Sequence, residues 1–280
     1  MKIKIGILAL LLTNSIWAQQ KETVHSIIVE LHETSWYKTQ QKLWGDETVS
    51  NDKNVDAWMN FYSATRALRI LSEAGSEEHQ AYLDKCAKIA KDAYKSVPET
   101  FEGNYIVHWD GGLEDDKFKY LLKAYEIDPS NPMTYDALMT EYELKRDMVK
   151  VKEMCLKMYE ANSYPPGLMS IAYNVLAELD ENAVIFTGGD NDTYPLWIVQ
   201  HALGFRKDVT VLNTYLAKVE GYAPLICAEI GLPTFKYDQE NKNDQELYDH
   251  FFKNTKGIPV YAISCSAHQF KAPETYDNFY

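Results

Sequence analysis

Asn182-Ala183-Val184-Ile185-Phe186-Thr187-Gly188-Gly189-Asp190-Asn191-Asp192-Thr193 is the point at which the chain changes character. The stretch opens as a short apolar run of strand type, two glycines close it, and an acidic segment rich in helix-starting residues follows. A helical stretch from Pro195 to Leu203 then ends at Gly204. Val209-Thr210-Val211-Leu212 reads as a second strand, led in by Arg206-Lys207-Asp208. Helical pieces over 218–230 and 245–254 precede a third, Ile258-Pro259-Val260-Tyr261-Ala262-Ile263. Strands alternating with helices through short links predict a small parallel-sheet α/β domain over 181–280.

In such sheets ligands bind beyond the carboxyl ends of the strands. Those ends here are Gly188 to Thr193, then Asn213-Thr214-Tyr215, then Ser264-Cys265-Ser266 with His268 just beyond. The candidate ligand-binding residues are Asp190, Asn191, Asp192 and Asn213. Asp190 and Asp192 can hold a divalent cation through oxygen ligands or orient sugar hydroxyls, and no other cofactor is implied. Asp192 or Thr193 also suits the N-cap of the next helix, with Pro195 in its first turn. Asp190 is not explained by capping. Cys265 and His268 lack an orienting third group, so no nucleophile–base pair is read there. The glycines match neither GxGxxG nor the P-loop, so nucleotide binding has no support.

Upstream, from about residue 24 to 180, apolar residues recur at helical spacing. Trp58, Phe61, Tyr62 and Leu68 form one stripe, Phe118, Leu121, Leu122 and Tyr125 another. Tyr135, Leu138 and Tyr142 follow, then Val151, Met154, Cys155 and Met158. Pro98, Pro129 and Pro165 punctuate the array at intervals near the ~34-residue period of tetratricopeptide repeats. Ala124 and Pro129, followed by Tyr135, Leu138 and Tyr142, resemble that family position by position. Met139, Val151 and Cys155 depart from it, standing where the repeat has glycine, alanine and an aromatic. The resemblance implies a tetratricopeptide-like helical domain over 19–180, a degenerate array of about three units that offers a protein partner a concave surface.

Gly189 to Trp197, with Gln200, Gly204, Arg206, Asp208-Val209, Val211, Asn213 and the later Ile258-Pro259-Val260-Tyr261, carries a second resemblance. It is similar to the soluble C-terminal domain of bacterial putative protein O-mannosyltransferase-like membrane proteins. That implies an α/β domain and an envelope setting. The membrane-embedded part that would carry glycosyl transfer has no counterpart in this chain, so the resemblance brings no transferase activity with it.

The chain opens with Lys2 and Lys4, an apolar run from Ile5 to Leu12, and a small residue, Ala18, before Gln19. This is the pattern of a cleaved signal peptide over 1–18, too short to span a bilayer. The mature chain is expected in the periplasm or outside the cell, with no transmembrane segment. A net charge of −13 gives no attraction for phosphate backbones, which excludes nucleic acid as a partner. The four cysteines form no metal-ligand spacing and read as buried thiols with at most one bridge. Taken together, the residues predict an exported interaction or scaffold protein of the envelope that binds a protein or glycan-bearing partner. The alternative is a carbohydrate-active enzyme, transferase or hydrolase, using Asp190 and Asp192.

Overall fold

The computed structural model describes residues 20–114, 116–240, 244–255 and 257–263. The segment 1–18 and the cluster of Ser264, Cys265, Ser266 and His268 lie outside the described residues. A helical majority and a small three-stranded parallel sheet toward the C-terminus give the expected fold class, a helical array with a small α/β layer. The chain divides into two compact units, one up to Gly111 and one from Gly112 onward. The helical array expected over 19–180 therefore straddles this division, and residue 181 lies inside the second unit.

The first unit holds four helices, α1 (Thr34–Ser50), α2 (Val55–Leu71), α3 (Glu77–Ser96) and α4 (Phe101–Gly111). Asn54 and Ser76 cap α2 and α3 by accepting from the amides of Ala57 and His79. Consecutive helices pack on each other. Trp58, Tyr62, Cys86, Ile89, Ala93 and Ile106 close one core cluster, and Tyr37, Ala64 and Leu68 another.

The second unit begins with α5 (Phe118–Ile127), α6 (Tyr135–Leu144), α7 (Met148–Glu160) and α8 (Pro166–Glu178). The α6–α7 pair is the segment that most resembles a tetratricopeptide repeat, and its departures compensate each other. The Cys155 thiol lies 3.3 Å from the Met139 sulfur, so two polarizable side chains fill the space usually shared by glycine and an aromatic ring. Cys86, Cys155 and Cys227 are all free and buried. Burial pushes the Cys86 thiol up to about 11 and raises the other two as well, which keeps them protonated.

Strands β1 (Val184–Thr187), β2 (Thr210–Asn213) and β3 (Val260–Ala262) pair in parallel in the order β2-β1-β3. The central β1 is buried throughout, as its continuous apolar run requires. Helix α9 (Asp190–His201) joins β1 to β2, and α10 (Tyr222–Glu229) and α11 (Asp244–Asn254) lead to β3. Phe186 meets Tyr248, Phe251 and Phe252 of α11 through their rings. Gly204 takes φ +74° just after α9, the left-handed stop that its position predicts.

Arg206 explains why α8 belongs with this sheet. Its guanidinium donates to the carbonyls of Leu176, Leu179 and Asp180 at 2.7–2.8 Å. The same group pairs with Asp208, whose carboxyl it lowers to about 2. One side chain thus satisfies the open carbonyls at the end of α8 and fixes them to the loop before β2.

Candidate functional site

Asp190 begins α9 where β1 ends, and the structure corrects the expected start of that helix. Gly189, in extended backbone at φ −94°, is the N-cap, so the helix starts five residues before Pro195 and not around it. Asp192 is the third helical residue and not the cap; its carboxylate reaches back to accept from the Gly189 amide at 3.4 Å. Pro195 lies inside the helix. A glycine supplies no side-chain cap, so the carboxylate one turn on takes over one of the free amides.

Asn213 stands at the end of β2, only 4 % exposed. Its amide donates to the Gly188 carbonyl at 3.1 Å and to the Thr193 hydroxyl at 2.8 Å. Its oxygen accepts from the amides of Tyr215 and Leu216. Thr193 in turn shares a 2.7 Å bond with Thr187. Asn213 is thus a latch that fixes the two strand ends, while Asn191 is exposed. The four expected residues are neighbours along one sheet edge, but they do not converge on one point.

Asp190 converges instead on residues that the sequence reading did not select. Asp136 lies in the first turn of α6, and desolvation foremost, with the Asp190 charge adding to it, raises its pKa. Tyr194, one turn along α9, bonds the Asp190 carboxylate and shares a 2.9 Å bond with Thr140 of α6. Tyr164, before α8, feels the field of both aspartates. Both carboxylates remain open to solvent, yet protein atoms hem them in, and this desolvation raises both, Asp136 to about 6. Such a combination marks a recess. With its pKa raised to about 6, Asp136 still holds its proton in mildly acidic solution. Tyr164 also lines a groove of about 620 Å³ with Met158, Met169, Tyr173 and Leu203.

A carboxyl raised in the fold stabilises the fold while protonated. The Asp136 contribution is therefore complete below pH 4 and lost as the pH rises to 6. In an NMR titration the Asp136 carboxyl carbon should show a midpoint near 6, and Asp190→Asn should lower it. An unmoved midpoint would mean that the two carboxylates do not share a recess.

No group of three or more His, Cys, Asp or Glu side chains is arranged to hold a metal among the described residues. No helix among them is long and apolar enough to cross a membrane. No curated protein and no solved structure matches the chain significantly. A family described as TMEM260-associated domain 2 matches residues 168–225, a segment that begins inside α8, passes through β1, Asp190 and the Arg206 clip, and ends in α10.

Proposed function

We propose that this chain is an exported interaction protein of the bacterial envelope, and that its second unit holds a hydroxyl-rich, glycan-bearing partner at the Asp136–Asp190 recess. The observation that carries this reading is the convergence of two raised carboxyls with the hydroxyls of Thr140, Tyr164 and Tyr194. Two carboxyls beside three hydroxyls present acceptors and donors together, which suits adjacent sugar hydroxyls.

Calorimetry with a panel of neutral hexose oligosaccharides tests the reading. At least one should bind, and Asp136→Asn and Asp190→Asn should each weaken it about tenfold while leaving the melting temperature nearly unchanged. Wild-type binding by both variants, or no binding across the panel, would refute it. Mass spectrometry of the exported protein should find Gln19 at its N-terminus; an intact Met1 in that fraction would remove the export part.

The enzyme reading is favoured by one observation, the Asp136 carboxyl raised to about 6 near Asp190, whose pKa desolvation also raises, an arrangement suited to acid–base work. Release of sugar by the wild type, abolished in either Asn variant, would favour it over plain binding. Calcium and magnesium added in the melting assay test the cation site at Asp190 and Asp192.

A further inference from the structure

The first unit carries a groove of about 610 Å³ between α1, α2 and α3, lined among others by Trp58, Phe61, Ile89, Lys42, Lys85 and Lys88. Two of these lysines are neutralised within their own helices. Lys42 bonds Asp46 at 2.7 Å, and Lys88 bonds Asp92. Lys85 differs: among the described residues no carboxylate comes within ion-pair distance of it. Its ammonium lies 5.4 Å from the centre of the Phe61 ring, and partial burial lowers its pKa. The Phe61 ring rests against Gly45, where an added Cβ would come within 3.0 Å of it. Glycine at this position therefore lets the ring lie tight against α1.

A half-buried cation without a counter-charge is costly, and an incoming carboxylate recovers that cost as a charge-assisted bond. The apolar lining around Lys85 adds a requirement. The anion must arrive on an apolar body, since a small hydrated ion would leave the partly buried Phe61 and the exposed Val49 uncovered. Asp46 and Asp92 line the groove beside their own lysines, so its unbalanced charge is the Lys85 cation. That cation is complementary to an acidic group that a chain of net charge −13 would elsewhere repel.

We propose that the groove docks an acidic peptide segment of a partner protein, its apolar side chains against Phe61 and Val49 and one carboxylate on Lys85. This rests on the interaction reading above and names the chemistry of its protein partner. It concerns a different surface from the carbohydrate recess, so loss of one binding activity with the other intact condemns only the site concerned.

The test is fluorescence anisotropy of the full chain with a labelled peptide of alternating leucine and aspartate, compared with its leucine–asparagine counterpart. The acidic peptide should bind at least tenfold more tightly, and that preference should shrink as salt is added. Lys85→Gln should remove the preference, Lys85→Arg should keep it within about threefold, and Lys253→Gln, an equal loss of charge elsewhere, should leave it unchanged. Equal binding of the two peptides, no binding of the acidic one at millimolar concentration, or an unaltered preference in Lys85→Gln would overturn the proposal. The comparison of peptides needs no substitution, so a poorly folded variant would not leave the question open.

Discussion

A chain ending at residue 180 should lose the fold of α5 to α8, whereas a chain of residues 20–111 should remain helical and melt cooperatively. The four helices up to Gly111 close their own core around Tyr62, Cys86, Ile89 and Leu68. The next four do not. Both α7 and α8 pack on α9, which the shorter chain would lack. Thr140 loses Tyr194, Glu143 loses Tyr222, and the carbonyls at the end of α8 lose Arg206. Exposing the apolar faces of two helices forfeits ~1.5–3 kcal/mol for each large side chain uncovered. A few such side chains already rival the 5–15 kcal/mol that typically holds a domain together. Circular dichroism of the two truncated chains reads the outcome. Cooperative melting of residues 112–180 within the longer truncation would show that the sheet is not needed to complete their core.

Glu143→Ala should be the most damaging single substitution in the second unit. The Glu143 side chain is 1 % exposed. It accepts from the Tyr222 hydroxyl at 2.6 Å and pairs with Arg146, whose guanidinium also grips Glu229 at 2.6 and 2.8 Å. Burial pulls the Glu143 pKa upward, against the opposing pull of Arg146 and Tyr222. The second oxygen of Glu143 has no partner among the described residues, so the group is held by this one set of contacts. Alanine would strand the buried Tyr222 hydroxyl and remove half of the Arg146 counter-charge. Breaking a buried pair from one side costs about 3–5 kcal/mol. For a unit of this size that corresponds to a fall of roughly 10 °C in melting temperature. A fall of under about 2 °C would mean that Glu229 alone suffices for Arg146. Glu229→Ala, at the exposed end, should cost far less.

The fold was legible wherever a pattern was local. The strand at Val184 to Thr187 announces itself as an uninterrupted apolar run, and its parallel partners follow from the alternation with helices. The start of α9 is not legible in the sequence because Asp190, Asn191 and Asp192 look like loop and cap residues, and the glycine that caps the helix offers no side chain to recognise. The division after Gly111 was hidden for another reason. Helical stripes mark which face of a helix is apolar, but not which neighbour covers it. Asp136 escaped the sequence reading on the same ground. An acid in the first turn of a helix is ordinary, and its meeting with Asp190 depends on α6 packing near α9, which spacing along the chain does not encode. Asp190 stands out in the sequence because nothing local accounts for it. Asn213 was placed correctly at the strand end, but its polarity serves the latch between the strands.

The free thiols turn burial into a matter of timing. Cys86 lies in the first unit, Cys155 and Cys227 in the second, each sealed by side chains that assemble only when its own unit folds. A chain exported as proposed would emerge unfolded into surroundings that oxidise exposed thiols. Its folding would therefore run as a race, with each core closing before an oxidant could join thiols that the native state keeps apart.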